Sequence, residues 1–121
     1  MDKAQALNSF WNSFSIPAYD SQTVPANATL PYITYETVTD SFDNRVTLTN
    51  SLWYRSTSWK EITEKANEIA ESIGYGGEII RIDNGYVWLM RGTPFAQRMS
   101  DPDDSIRRIV LNVQADFLTA N

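Results

Sequence analysis

The chain contains no cysteine and no histidine among its 121 residues. Their absence removes disulfide bonds, thiol and imidazole catalysis, and zinc sites built from these ligands. No run approaches the roughly 20 apolar residues of a membrane span, and the N-terminal segment lacks the basic start and apolar core of a secretory signal. We therefore expect a protein that does not enter membranes, is not exported and is stabilised by packing alone.

Positive charge is also scarce. Ten Lys and Arg residues stand against fifteen Asp and Glu residues, and the net charge is −5. Because binding to phosphates requires the opposite sign, this balance disfavours tight nucleic-acid binding. It suits a surface past which DNA slides without sticking. The 42% hydrophobic content is typical of a folded protein, and the length predicts one domain over residues 1–121.

A first helix is predicted after Asp2. Its apolar residues Leu7, Phe10, Trp11 and Phe14 recur at intervals of three and four, as on one face of an amphipathic helix. Pro17 ends this helix. The proline-rich segment 16–31 then predicts a long ordered loop.

A second helix is predicted to begin at a capping box formed by Ser58 and Glu61 and to end at Gly74. Acidic and basic residues cover one side of this segment. The other side is apolar and is expected to face the core, with Ile62, Ala66, Ile69, Ala70 and Ile73.

A first antiparallel hairpin is predicted from two segments with strand composition. Residues 32–39 are rich in aromatic and β-branched side chains, and residues 45–55 alternate between apolar and polar. The polar residues 40–44 reverse the chain between them. In this arrangement Asn50 interrupts the inward face, and Trp53 stands on the outward face.

A second hairpin is predicted around Asp83-Asn84-Gly85, because Asn-Gly between β-rich runs is a strong turn signal. Its strands cover residues 78–82 and 86–91. The prolines and acidic residues of 92–105 predict a loop, and the alternation over 108–117 predicts a last strand.

These elements predict an α+β fold. We expect a mostly antiparallel sheet of about five strands, with two helices packed on one face. The strand edges of such a sheet can pair with another copy or another protein, so assembly is plausible on physical grounds.

The densest carboxylate group is Asp101, Asp103 and Asp104. Paired acids hydrolyse glycosides only when their separation and surroundings drive their pKa values apart, and three acids in one loop do not meet that condition. The group also lacks the spacing of a calcium loop. A solvated acidic loop is the favoured interpretation, and we predict no enzyme activity, no metal site and no cofactor.

Four aromatic residues raise the question of a sugar-binding or peptide-binding platform: Trp53, Trp59, Tyr86 and Trp88. Their positions on strands and at a helix start favour packing in a core or an interface. Trp53 lies on the polar side of its strand, so it is the best candidate for a protein contact.

The order of these features resembles the tail terminator (tail completion) family of long-tailed bacteriophages. The resemblance rests on the first helix, on Ile16-Pro17-Ala18-Tyr19-Asp20, and on Leu30-Pro31-Tyr32-Ile33-Thr34-Tyr35 after a polar spacer. The second helix and the closing strand also fit. In that family a similar helix precedes a Pro-x-Tyr-Asp-like turn and a Pro-Tyr-Ile-like strand entry.

The resemblance implies a virion protein that forms a homo-oligomeric ring, usually hexameric, in the tail or neck after assembly in the host cytoplasm. Such a ring caps the tail tube, ends its polymerisation and joins the tail to the head connector or stopper protein, while DNA passes the lumen without specific binding. No catalytic motif carries over. On physical grounds we expect the subunit or partner contacts on projecting loops and the outward sheet face, at Asp40, Phe42, Asp43, Trp53, Arg55, Phe95, Arg98, Asp101, Asp103 and Asp104.

Two other functions remain open. A neck or head-completion adaptor would contact the portal side of the joint. A carbohydrate-binding or host-directed module would use Trp53 and would need exposed aromatic rings.

Overall fold

The computed structural model describes residues 1–37 and 45–119, with the exception of the Thr119 side chain. Its two helices are α1 (Lys3–Trp11) and α2 (Lys60–Ile73), and a short 3-10 turn (Asn12–Phe14) follows α1. The strands are β1 (Ala18–Asp20), β2 (Tyr32–Tyr35), β3 (Val46–Arg55), β4 (Glu78–Ile82), β5 (Gly85–Met99) and β6 (Ile106–Thr119).

The first helix is confirmed, and its start uses a capping box that the sequence analysis missed. The Gln5 backbone N–H donates to the Asp2 carboxylate at 2.8 Å, and the Asp2 N–H donates to the Gln5 side chain at 2.9 Å. These two bonds satisfy donors that a helix start leaves without partners. The start of α1 is therefore defined by the local sequence.

The second helix is confirmed, but the predicted capping box at its start is wrong. The helix begins at Lys60 with Trp59 at the N-cap position, and no side chain caps it there. The Ser58 hydroxyl instead accepts a hydrogen bond from the Lys60 N–H at 3.1 Å. A capping box would require the Glu61 N–H, one residue later, as the donor. The predicted end is confirmed, because Gly74 takes the C-cap position with a φ of 72°.

The six strands form one mixed sheet in the order β1-β2-β3-β6-β5-β4. The α+β prediction is confirmed, whereas the expected sheet of about five mostly antiparallel strands is corrected to six strands with one parallel pair. The added strand, β1, lies inside the predicted 16–31 loop and pairs in parallel with β2. Three residues between prolines carry too little periodicity to identify a strand.

Asn12 fixes β1 at the border of the sheet. Its side-chain oxygen accepts from the Ala18 N–H at 3.0 Å, and its amide nitrogen donates to the Ala18 carbonyl at 3.3 Å. On the other side of β1, the Ile33 N–H donates to the Pro17 carbonyl at 2.9 Å. The short strand is thus held from both sides.

The predicted 92–105 loop is wrong for most of its length. Strand β5 continues to Met99, with a register shift between Arg91 and Ala96 where β5 pairs with β6. Pro94 lies inside this irregularity, where a missing N–H breaks no ladder bond, and its carbonyl accepts from the Asn112 side chain at 3.0 Å. Only residues 100–105 connect β5 to β6.

Both predicted hairpin pairings are confirmed. Tyr32 lies opposite Trp53 in the β2–β3 pair, and Ile82 lies opposite Gly85 in the β4–β5 pair. Asp83 and Asn84 form the tight turn of the second hairpin. The predicted reversal at residues 40–44 lies outside the described residues.

One hydrophobic cluster joins both helices to the same face of the sheet. The buried residues of α2 are Ile62, Ala66, Ile69 and Ile73, and α1 adds Leu7, Phe10 and Trp11. The predicted apolar stripe of α2 is thus confirmed except at Ala70, which is half-buried. Asn50 is buried on this face, as expected from the pattern of β3. Its side chain is fully used, because it accepts from the Glu36 N–H and donates to the Leu48 and Leu111 carbonyls.

Candidate functional site: the open face of the sheet

The candidate site is the sheet face opposite the helices, which we call the open face. Strand alternation places every second residue there, and the pairings bring these residues side by side. Three arginine side chains on this face lie over aromatic rings: Arg108 over Trp53, Arg45 over Trp88 and Arg81 over Tyr86. Tryptophan, tyrosine and arginine are the residues that interface centres favour.

At one end of the open face lies the Trp53 cluster, formed by Thr34, Ser51, Trp53 and Arg108. The Trp53 indole N–H donates to the Thr34 hydroxyl at 3.0 Å, and Arg108 Nε donates to the Ser51 hydroxyl at 3.2 Å. The Arg108 guanidinium carbon is 4.5 Å from the Trp53 ring centroid. Because the polar atoms of Trp53 and Ser51 find partners inside the chain, this cluster stabilises the fold.

Beside the Trp53 cluster lies a shallow cleft of about 430 Å³. One wall is the loop before β2, and the other is formed by the ends of β3 and β6. Its lining residues are Ala28, Thr29, Leu30, Tyr32, Trp53, Arg55 and Ile106. The cleft has the size of a small ligand site, but Trp53 offers it only one face of the ring, since Arg108 lies over that ring.

Residues 101–104 form an acidic turn between β5 and β6, close to Arg55. Asp103 accepts from the Ser105 backbone N–H at 2.8 Å and from the Ser105 hydroxyl at 2.7 Å, and it lies 4.0 Å from Arg55. These hydrogen bonds from Ser105, more than the charge of Arg55, hold the pKa of Asp103 below its ordinary value. Asp103 therefore remains a carboxylate over the physiological range.

At the other end of the open face lies a group that we call the Trp88 patch. Its apolar members are unusually exposed: Ile79 is 63% exposed, Leu118 is 50% and Tyr86 is 42%. They are contiguous, because Ile79 lies opposite Trp88 and Tyr86 lies opposite Leu118. The patch consists of Arg45, Ile79, Arg81, Tyr86, Trp88 and Leu118.

Trp88 is held in the patch by two glycines. Its indole N–H donates to the Gly76 carbonyl at 2.9 Å, and its ring covers Gly77. A Cβ at Gly77 would lie 2.5 Å from Trp88 Nε1 and 2.5 Å from the Leu89 carbonyl oxygen, and the φ of Gly77 is 83°. Only glycine fits this position without strain, so the loop before β4 is shaped to receive the tryptophan.

Charge in the Trp88 patch is mainly positive. Arg45 and Arg81 are both exposed, and the cation of each lies over a ring, 5.7 Å from the Trp88 centroid and 5.9 Å from the Tyr86 centroid. Asp116 is the acidic residue beneath them, 3.8 Å from Arg45. Nearby Asp83 contacts the N-terminal ammonium group. The patch therefore combines exposed apolar surface with two cations.

The structure brings together three of the residues predicted for partner contacts. Trp53, Arg55 and Asp103 lie at the same end of the open face, and Asp101 and Asp104 lie in the turn beside them. Two others lie on the helix side: Phe95 packs against the core, and Arg98 lies 4.8 Å from the Trp59 centroid. Asp40, Phe42 and Asp43 lie outside the described residues.

Sequence reasoning missed the Trp88 patch as an exposed unit. The signal was present in Ile79 and Tyr86, which alternate with core residues on the two strands of the β4–β5 hairpin. The register that places Leu118 and Arg45 beside them depends on β6 and on the pairing of distant segments. Composition cannot give that register.

Over residues 1–37 and 45–119 no group of three or more carboxylates is arranged to hold a metal ion. The described helices are also too short or too polar to cross a membrane. The chain matches none of the models of known protein families with which it was compared, and comparison with curated proteins gives no significant match.

Proposed function

We propose that the chain is a structural subunit of a ring that caps the tail tube of a long-tailed bacteriophage. In this role it ends tube polymerisation and joins the tail to the head connector or stopper protein. The protein acts through contacts with copies of itself and with these partners, and it catalyses no reaction. Its place is in the virion, at the tail or neck, after assembly in the host cytoplasm.

The observation that carries the proposal is the open face. In the described part of the chain both helices lie on one side of the six-stranded sheet, and the other side carries three exposed large apolar side chains beside two arginine–aromatic pairs, which is the composition of a protein contact surface. The resemblance in the order of sequence features then selects the tail terminator role among the assembly roles. The net charge of −5 fits a lumen through which DNA passes without binding.

A free sheet edge adds support. Within the described residues, the border strand β4 pairs with β5 alone, so part of its backbone hydrogen-bonding groups face outward. A repeating subunit can use this edge and the open face to make one heterologous contact after another until a ring closes.

The carbohydrate-binding alternative rests on the cleft beside Trp53. A sugar ring stacks on a free aromatic face. Arg108 lies over the Trp53 ring and is held there by its hydrogen bond to the Ser51 hydroxyl. Its position reduces the area of the ring that a sugar could contact. This arrangement favours the assembly role over the glycan role.

The decisive experiment is electron microscopy, at side-chain resolution, of particles of the virus that encodes the chain. We expect a closed ring of this chain at the end of the tail tube that faces the head. Density for the chain on the portal side, away from the tube, would instead support the neck-adaptor alternative. Absence from the particles, with a monomer as the only species in native mass spectrometry, would contradict the proposal.

A further inference from the structure

We propose that the Trp88 patch binds the acidic turn, residues 101–104, of a second copy of this chain, so that copies join head to tail. The contact rests on the proposed ring function, because it names the partner that the patch takes in that ring. The patch supplies cations and exposed apolar surface. The turn and the strand end before it supply carboxylates and the exposed side chain of Met99.

Charge complementarity selects the occupant. The guanidinium groups of Arg45 and Arg81 are exposed at the patch, and among the described residues Arg45 has an ion pair, with Asp116, whereas Arg81 has none. In the acidic turn Arg55 lies 4.0 Å from Asp103, whereas Asp101 and Asp104 have no ion pair within the described part of the chain. Carboxylates that meet guanidinium groups in a partly dehydrated contact form strong charge-assisted hydrogen bonds.

Apolar contact accompanies the charges. Met99 is 41% exposed at the end of β5, directly before the turn. The flexible methionine side chain adapts to irregular apolar surfaces such as the one formed by Ile79, Tyr86 and Leu118. Burial of these side chains would give the contact its affinity, and the charges would give its orientation.

The patch and the turn of one copy cannot meet each other. They lie at opposite ends of the β5–β6 ribbon, where Gly85 pairs with Thr119 at one end and Met99 pairs with Arg108 at the other. At about 3.3 Å per residue, the ribbon from Tyr86 to Met99 spans roughly 40 Å. The turn must therefore reach the patch of another molecule.

A head-to-tail contact of this kind gives either a closed ring or an open filament, depending on the angle between its two halves. The register shift between Arg91 and Ala96 interrupts the β5–β6 ladder midway between patch and turn. Irregularities of this type bend the strand that contains them. Such a bend changes the angle between the patch and the turn, and that angle determines whether the copies close into a ring.

The acidic outer face of α2 is a poorer occupant. Its glutamates alternate with Lys60 and Lys65, and Lys65 already binds Glu68 at 2.9 Å and the Phe14 carbonyl at 2.7 Å. None of the large apolar side chains that are strongly exposed belongs to this helix. A nucleic acid is also disfavoured, because two cations beside Asp116 neutralise few phosphates.

Cysteine crosslinking tests the contact directly, since the chain contains no cysteine that would interfere. The test protein is the full chain with Leu118→Cys in the patch and Pro102→Cys in the acidic turn, where Pro102 is exposed and its substitution retains all three carboxylates. Under mild oxidation at high protein concentration we expect a ladder of crosslinked dimers, trimers and higher species on a non-reducing gel. A 1:1 mixture of the two single variants should give only a heterodimer, because each copy then carries one reactive half.

Two matched controls accompany this experiment. The pair Leu118→Cys and Glu64→Cys places the second cysteine on the outer face of α2 and should give no ladder. In the reactive background, Arg81→Glu should lower the crosslinked yield at least about fivefold. Lys60→Glu changes the net charge equally and should leave the yield unchanged. Thermal unfolding of each variant verifies that it is folded.

The outcomes separate the contact from the function. Absence of a ladder, a ladder through Glu64→Cys instead, or a dimer of the Leu118→Cys variant alone would overturn the head-to-tail contact. A ring in the virion together with no ladder leaves the function standing and removes this contact. If the crosslinked ladder forms but the chain is absent from phage tails, the head-to-tail contact stands and the proposed function is removed.

Discussion

The two ends of the open face carry the same pair of side chains, a tryptophan beneath an arginine, in different surroundings. At the Trp53 end, Arg108 and Trp53 bind the hydroxyls of Ser51 and Thr34, and the cluster is part of the fold. At the Trp88 end, the neighbouring apolar residues are exposed. The comparison teaches that an arginine–aromatic pair is no sign of a binding surface by itself. Exposed apolar residues beside the pair are what distinguish a candidate binding surface from a pair that stabilises the fold.

The largest effect is expected from Gly77→Ala, which tests whether the Trp88 end depends on a fixed tryptophan. The new Cβ would lie 2.5 Å from the Leu89 carbonyl oxygen and from Trp88 Nε1, at a φ of 83°. We expect the free energy of unfolding to fall by about 3 kcal/mol. Urea denaturation followed by tryptophan fluorescence measures this change.

Gly76→Ala is the matched control for that prediction, because no atom lies within 4 Å of a Cβ at Gly76. It should change the unfolding free energy by less than about 0.5 kcal/mol. Equal effects of the two substitutions would show that the loop tolerates a side chain at both positions and that Trp88 is not held by close contact.

A smaller effect is expected from Trp53→Ala at the other end of the face. The substitution removes a half-buried ring, its bond to Thr34 and the support of Arg108. The free energy of unfolding should fall by about 2 kcal/mol. Trp53→Phe retains a ring and should cost about 1 kcal/mol, measured by the same denaturation. A loss under about 0.5 kcal/mol for Trp53→Ala would break the distinction between the two ends.

The smallest effect on stability is expected from Leu118→Ser. Half of this side chain is already in solvent, and its neighbour Tyr86 is also exposed. The unfolding free energy should change by less than about 0.5 kcal/mol, while association at high concentration, followed by light scattering, should weaken. A loss of stability above about 1 kcal/mol with unchanged association would make Leu118 a packing residue.

Much of the fold follows from local patterns. The stripes of both helices, the two hairpins and the last strand were predicted from periodicity, and the buried Asn50 was placed on the correct face of β3. These features depend on neighbours within a few residues, which the sequence displays. The capping box at the start of α2 was predicted wrongly because the spacing of Ser58 and Glu61 suggests a bond from the Glu61 N–H. In the structure the Ser58 hydroxyl accepts from the Lys60 N–H instead.

The features that the sequence did not reveal depend on distant partners. β1 is a strand because Asn12 and β2 bind its backbone, and the second half of β5 is a strand because β6 extends alongside it past Pro94. The candidate site likewise contains residues that local patterns predict and residues whose proximity depends on distant strand pairing. Trp53, Arg55 and Asp103 were identified from their own strands and turns, whereas the Trp88 patch exists only in the register of three strands.

Asn12 has a consequence for how the sheet can grow. Its side chain binds both the N–H and the carbonyl of Ala18, and so takes the place that a further strand would occupy beside β1. A foreign strand that approaches this border meets a main chain whose bonds at Ala18 are already used. A strand that added to the sheet beside β1 would first have to displace the Asn12 amide, so a neighbouring molecule meets less obstruction at the β4 border.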